Sequence, residues 1–126
     1  MQADRRFGPE EAAISIQQQS SSADGNGLAD VLRLIRSENV GPLTYHRLLR
    51  RFGSARASLD ALPDLARAGG RRRPVRIPAM GEIEREIAAA GEAGAALLTH
   101  FDPHYPQWLA ETEDAPPVIG VLGSAE

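Results

Sequence analysis

Apolar residues recur at helical spacing in two neighbouring segments of the chain. The first set is Leu28, Val31, Leu32 and Ile35, and the second set is Tyr45, Leu48, Leu49 and Phe52. Each set follows the i, i+3, i+4, i+7 pattern that places side chains on one face of a helix. The pattern therefore predicts two amphipathic helices, separated by the break Asn39-Val40-Gly41-Pro42.

Residues at the predicted helix ends carry their own signals. Pro42 suits the first turn of the second helix because a missing N–H is harmless there. Gly53 suits the left-handed residue after its last turn, and Ser54 predicts the cap of a third, short helix through Ala61. Pro63 then predicts a separate helical turn, which a Gly-Gly pair ends.

The last third of the chain predicts one longer helix and two strands. The helix spans about 79–93, and four of its apolar side chains are expected to face inward: Met80, Ile83, Ile87 and Ala90. The short apolar runs "AALLTH" and "PPVIGVLG" predict strands. Between them "YPQWLAE" predicts a short helix, with Tyr105 and Trp108 anchoring it on the sheet.

These elements add up to a mainly α fold class. Residues 28–93 are predicted to form a helical domain, and residues 94–126 supply β, short α and β elements. Two strands and one short helix are marginal alone, so 94–126 is interpreted as the start of a second domain. Residues 1–27 are predicted to be a mostly disordered leader, since they lack sustained periodicity and contain a Gln/Ser run.

Charge is segregated along the chain more strongly than the net charge of -3 suggests. Residues 28–78 carry eleven Arg against four acidic residues, a balance of +7, whereas residues 79–126 carry one Arg against nine acidic residues, a balance of -8. The middle segment therefore suits an anionic partner. All fourteen basic side chains are Arg, whose planar fork matches phosphate.

The break between the first two helices fits a helix-hairpin-helix motif. In that motif, backbone N–H groups at the start of the second helix hold a phosphate with the help of the helix dipole. The candidate contacts are Gly41, Thr44, Arg47, Arg50 and Arg51. Asn39 stands where DNA-gripping hairpins usually have a second Gly, and Pro42 lacks a donor, so both weaken the grip. The alternative is an ordinary corner between helices in which glycine supplies the positive φ.

A second group of candidate contacts lies in the loop "GGRRRPVRIP" at 69–78. Its arginines are Arg71, Arg72, Arg73 and Arg76. Arg pairs with phosphate, and each neutralised phosphate releases counterions. A nucleic-acid backbone is therefore one expected partner of this loop, and a solvated, mobile loop without a partner is the alternative.

The sequence offers little evidence for a disulfide, a metal site or a catalytic site. With no cysteine there is no disulfide or thiolate site, and the three histidines lie apart without a carboxylate at ligand spacing, so we expect no metal and no cofactor. Asp102 and His104 flank Pro103 and predict a turn rather than an acid/base pair. We expect no catalysis. No apolar run approaches the roughly 20 residues of a membrane helix and no secretory signal is seen, so a cytoplasmic protein is expected.

Several of these pieces occur together in one order along residues 28–123. They are Val40-Gly41-Pro42 with Leu48-Leu49 and Phe52-Gly53-Ser54, then Gly94-Ala95 followed by Asp102, Tyr105-Pro106, Leu109 and Pro116-Pro117. Their joint order and spacing resemble the N-terminal portion of the DNA-processing protein A family, DprA or Smf.

This resemblance implies both a fold and a function. It implies a helical domain of the sterile-alpha-motif (SAM) or helix-hairpin-helix type at 28–93, followed by the first β-α-β elements of a truncated Rossmann-like domain at 94–126. It also implies single-stranded DNA binding in natural transformation and recombination, help in loading a RecA-type recombinase, and a homodimer in the full-length protein. The family's Gly-Ser-Arg signature and basic pocket would lie beyond Glu126, so we expect an accessory role for this chain.

Two further functions stay open at this point. A SAM-like protein-interaction module without direct DNA contact is one, since segments of opposite charge suit a partner or self-association. An α/β nucleotide enzyme is the other, but it would need a Gly-rich loop after its first strand. The segment "THFDPHYP" in that place is not such a loop.

Overall fold

The computed structural model describes residues 24–122. Its elements, in chain order, are α1 (Leu28–Ile35), α2 (Pro42–Phe52), α3 (Ala55–Ala68), α4 (Met80–Glu92), β1 (Ala95–Thr99), α5 (Gln107–Ala110) and β2 (Val118–Leu122). The predicted leader falls largely on residues 1–23, which lie outside the described residues. Within residues 24–122, no helix combines the length and the apolar character that crossing a bilayer requires.

The residues that begin and end α2 and α3 behave as their chemistry predicts. Pro42 occupies the start of α2, and Gly53 closes it with a left-handed φ of 94°. The side chain of Ser54 then accepts a hydrogen bond from the backbone N–H of Ala57 at 3.1 Å, which caps α3. These predictions are confirmed.

The turn between α1 and α2 differs from the expected corner in one respect. Its residue with positive φ is Asn39, at 65°, whereas Gly41 is extended with a φ of -96°. The alternative interpretation, a corner in which glycine supplies the positive φ, therefore does not describe this turn. Asn is among the few side chains that enter this region readily, because its short amide can bond locally.

Helix α3 is continuous through Pro63, so the predicted stop at Ala61 is wrong. Proline removes one hydrogen bond of the helical ladder, but its fixed φ is compatible with a helix. Leu59 and Leu62 before it are buried, and Leu65 after it packs on the same core. Burial on both sides of Pro63 holds the two halves of the helix in line.

Two apolar clusters form the core. The larger joins α1, α2 and α3 and contains Val31, Leu34, Val40, Tyr45, Leu48, Ala55, Leu59 and Leu62. The smaller joins α1 to α4 through Ala29, Leu32 and Ile83. Val118 of β2 packs against both clusters. The strands therefore rest on the helices instead of standing apart from them.

The two strands pair antiparallel, from Ala95 opposite Leu122 to Thr99 opposite Val118. A Rossmann-like β-α-β unit has parallel strands, joined by a helical crossover of a dozen or more residues. Here the connection contains only the four-residue α5. The helical part of the predicted fold class is confirmed, whereas its Rossmann-like part is not.

Two side chains that were expected to face inward are exposed. Trp108 is 72% exposed, so it does not anchor α5 on the sheet, whereas the Tyr105 hydroxyl donates to the carbonyl of Pro116, just before β2, at 2.7 Å. Met80 is also exposed because it opens α4, one turn before Ile83 makes contact with α1. Both predictions are wrong.

Candidate nucleic-acid interface

Gly41 and Thr44 lie at the exposed start of α2. Gly41 precedes the helix, and its carbonyl accepts the N–H of Tyr45 at 2.8 Å. The N–H groups of a helix's first turn have no partner within the helix, and Pro42 removes one of them, which leaves fewer donors for an anion. A Cβ built on Gly41 would meet nothing within 4 Å. The glycine is therefore not required by packing inside the described residues.

The outer face of α2 carries Arg47, Arg50 and Arg51, all exposed. Their spacing of three and four residues places them side by side on the helix surface. Among residues 24–122, none of the three forms an ion pair with a carboxylate. Arg51 lies over the ring of Phe52, 5.0 Å from its centroid. This face therefore presents three positive charges to the solvent.

The opposite side of α2 is fixed to the strand region by its ring side chains. The Tyr45 hydroxyl lies 2.8 Å from Nε2 of His100, and Nε2 of His46 donates to the Ala115 carbonyl at 2.9 Å. The rings of His46 and His100 lie 5.0 Å apart. Burial, together with the nearby His46, lowers the pKa of His100 to about 4, so this ring is neutral near pH 7. These contacts hold the arginine face of α2 outward.

The carboxylate of Glu38 bonds to two residues of the loop at 69–78. Its Oε1 accepts from Nη2 of Arg71 at 2.7 Å and from the backbone N–H of Arg76 at 3.0 Å. The backbone N–H of Glu38 also donates to the Arg76 carbonyl at 2.9 Å. The hydrogen bonds from Arg71 and Arg76 lower the pKa of Glu38 to about 2. The loop is thereby attached to the turn between α1 and α2.

The four loop arginines have different surroundings. Arg71 is mostly buried in its pair with Glu38, and Arg76 pairs with Glu82 at 3.2 Å. Arg73 is 75% exposed and only approaches Glu38 to 3.5 Å. Arg72 is exposed and has no ion pair within residues 24–122. Arg71 and Arg76 therefore shape the loop, while Arg72 and Arg73 are available to a partner.

The structure brings some of the predicted site residues together and keeps others apart. Thr44 and Arg71 line one open groove of about 460 Å³, whose floor is apolar. The α2 arginines point away from the helical core on the outer face described above. Sequence reasoning missed Glu38, although it is the only acidic residue between Val31 and Leu59. A single carboxylate among many arginines is the signal that could have drawn attention to it.

Asp102 and His104 form a local contact across Pro103. Asp102 accepts the backbone N–H of His104 at 2.8 Å, and its Oδ1 lies 3.1 Å from Nδ1 of that histidine. The predicted turn at Pro103 is thus present. Within the part of the chain that the structure describes, no group of three or more His, Cys, Asp or Glu side chains could hold a metal ion.

The helical part of the chain matches the model of a protein family. The model of the DprA-like N-terminal HHH domain matches residues 27–89, which include α1, α2, α3, most of α4 and every candidate contact. The chain belongs to the DprA family. This membership indicates DprA-type DNA processing and confirms the helix-hairpin-helix interpretation. The match ends before β1, so the DprA family assignment rests on the helices. No curated protein matches the chain significantly.

Proposed function

We propose that this DprA-type chain contacts single-stranded DNA through the outer face of α2 and so has an accessory role in DNA processing. The observation that carries the proposal is the set of three exposed arginines without a carboxylate partner among residues 24–122. An arginine that already pairs with a carboxylate must break that ion pair before it can bind a phosphate. Arg47, Arg50 and Arg51 have no such pair to lose.

The fixed orientation of α2 supports the same proposal. Tyr45 and His46 bond to His100 and Ala115 on the inner side, so the three guanidinium groups start from a rigid helix. Less ordering is then required on binding. Arg72 and Arg73 of the loop add secondary contacts in this proposal, and Gly41 with Thr44 offers backbone and hydroxyl donors at the helix start.

Fluorescence anisotropy with a labelled single-stranded oligonucleotide tests the proposal. Binding should weaken as salt rises, with a slope of about -0.7 per neutralised phosphate for single strands. The variant Arg47→Gln/Arg50→Gln should bind more weakly than the parent chain. Its control is Arg36→Gln/Arg85→Gln, which removes the same charge from the residue that follows α1 and from the surface of α4. Equal loss in both variants, or no binding at low salt, would contradict the proposal.

A wider role is proposed from the family membership and needs its own test. We infer that the protein acts in natural transformation and recombination in the cytoplasm, assists a RecA-type recombinase, and forms a homodimer in its full-length state. Co-elution of the chain with purified RecA, with and without oligonucleotide, tests the recombinase contact. Separate elution under both conditions would rule out this chain as the contact region.

One observation favours a protein-interaction role as the second candidate. Trp108 is 72% exposed, and exposed tryptophans are enriched among the residues that dominate protein interfaces. Three acidic residues follow it closely: Glu111, Glu113 and Asp114. In this case Trp108→Ala should abolish co-elution with RecA and leave oligonucleotide binding unchanged, whereas Arg47→Gln/Arg50→Gln should do the reverse.

A further inference from the structure

A small pocket lies between the end of α3 and the loop at 69–78, away from the outer face of α2. Three arginines line it, Arg67, Arg72 and Arg73, and Pro63 and Pro74 contribute apolar walls. Its volume is about 140 Å³, well below the roughly 300–1,000 Å³ of pockets for drug-sized ligands. We call it the three-arginine pocket.

The charge around the three-arginine pocket is not balanced by its own carboxylates. Arg67 pairs with Asp64, and both side chains are exposed. Arg73 approaches Glu38, which Arg71 already occupies at shorter distance. Four guanidinium groups, counting Arg71, thus face two carboxylates, which leaves two positive charges. A phosphate monoester carries nearly two negative charges near neutral pH.

The backbone near the pocket is also compatible with an anion. A helix C-terminus normally repels anions because its last carbonyl groups are unsatisfied. In α3, the carbonyls of Leu65, Arg67 and Ala66 accept the N–H groups of Gly69, Gly70 and Arg71, each at 3.0 Å. Nε of Arg71 also donates to the Arg73 carbonyl at 3.0 Å. Internal donors therefore satisfy these oxygens and fix the loop that carries Arg72 and Arg73.

We propose that the three-arginine pocket binds the terminal phosphate of a single-stranded DNA, at a site distinct from the α2 face. This inference rests on the proposed DNA contact. A strand end suits the pocket better than an internal position, because a terminal monoester matches its two unbalanced charges and a phosphodiester supplies only one. The apolar walls at Pro63 and Pro74 then lie beside the sugar that carries the phosphate.

Three oligonucleotides of one sequence test this inference by anisotropy, with a 5′-phosphate, a 3′-phosphate or no terminal phosphate and an internal dye. One phosphorylated form should bind roughly fivefold more tightly than the unphosphorylated form. A ratio of affinities of this size is expected for ion pairs between exposed groups. Arg72→Gln/Arg73→Gln should remove this preference. Asp64→Asn should increase it, because Arg67 loses its carboxylate. Equal affinity for all three forms, or a preference that survives in Arg72→Gln/Arg73→Gln, would overturn the inference.

Failure of this site and failure of the α2 contact can be told apart. Arg47→Gln/Arg50→Gln should weaken all three oligonucleotides alike and keep the preference for the phosphorylated end. If no oligonucleotide binds, the proposed function fails. The pocket can then still be tested separately by an NMR titration. Thymidine 5′-monophosphate, but not thymidine, should then shift the Nε–Hε signals of Arg67, Arg72 and Arg73. Unchanged signals would exclude a phosphate site.

Discussion

The arginines of α2 and those of the loop at 69–78 are of the same chemical kind but are used differently. On α2, Arg47, Arg50 and Arg51 have no ion pair with residues 24–122. In the loop, Glu38 and Glu82 hold Arg71 and Arg76. The difference teaches that a count of positive charges does not locate a binding surface. The position of the few carboxylates decides which arginines are available.

The two regions are also anchored by different kinds of group, because one anchor is a neutral side chain and the other is an ionised side chain. Helix α2 packs against His100, which is neutral, and the loop is bonded to Glu38, which is ionised. The neutral anchor is buried beside Tyr45, whereas the ionised anchor lies among arginines. Acid should therefore affect the two regions at different pH, which gives the first way to separate them.

Acidification is expected to have the largest effect. In the unfolded chain His100 gains a proton near pH 6.5, whereas in the folded protein it does so only near pH 4. The unfolded state thus binds more protons between these values, and the free energy of unfolding should fall as pH drops from 6.5 to 4. Urea unfolding at stepped pH measures this, and His100→Gln should flatten the dependence. A dependence that is unchanged in His100→Gln would exclude His100 as its source.

Glu38 should act in a lower pH window. Its pKa is about 2 in the folded protein and 4.5 as the ordinary value, so its contribution is complete above pH 4.5 and is lost as pH falls toward 2. The protection factor of the Arg76 amide, which donates to Glu38, should be high at pH 5 and should drop near pH 2 when it is measured against the intrinsic exchange rate at each pH. Early loss, above pH 4.5, would mean that another group holds the loop.

Paired substitutions should give the next largest effect. Arg47→Gln/Arg50→Gln should lower the affinity for single-stranded DNA about tenfold at low salt and reduce the salt slope by about 1.4. Arg71→Gln/Arg76→Gln removes the same charge, but these side chains are already paired. It should lower the affinity less and lower the urea midpoint more. Equal effects of the two variants on both measurements would remove the distinction between the regions.

Asn39 links the two regions, since it follows Glu38 and precedes α2. Its φ of 65° is unfavourable for a side chain that cannot bond locally, by roughly 1–2 kcal/mol. Asn39→Ala should therefore reduce the free energy of unfolding by about 1 kcal/mol, measured in urea, whereas Asn39→Gly should not reduce it. Equal losses in both variants would show that the amide, and not the backbone angle, matters.

Arg51 should show the smallest effect. Its guanidinium lies over the Phe52 ring, a contact worth about 0.5–1 kcal/mol at an exposed site. Arg51→Gln should lower the free energy of unfolding by about that amount, and Arg47→Gln, on the same face without a ring contact of this kind, should leave it nearly unchanged. Indistinguishable unfolding curves for the two variants would mean that the ring contact contributes nothing.

The sequence predicts the helices well because their signals are local. The stripes of α1 and α2, the left-handed Gly53 and the Ser54 cap depend on residues only a few positions apart. Pro63 was misjudged since its effect depends on tertiary burial of Leu59 and Leu62, which overrides the local signal for a stop.

The candidate site could be predicted only in part, because it depends on contacts between residues that are far apart in the sequence. The arginines are visible in the sequence, but the partner that divides them, Glu38, lies 33 residues before Arg71. His46 and His100 also meet only through the fold, 5.0 Å apart. Trp108 was expected to anchor α5 on the sheet, yet nothing local reveals that this four-residue helix turns it outward.

The exposure of Trp108 also determines how this protein can be observed. It is the single tryptophan of the chain, and at 72% exposure its indole is already solvated in the folded state. Unfolding should therefore change its emission little, so tryptophan fluorescence is a poor measure of stability here. A molecule that covers α5 should shift the emission to shorter wavelength, and one that binds α2 alone should not. The protein thus carries an intrinsic optical reporter that distinguishes docking at α5 from binding elsewhere.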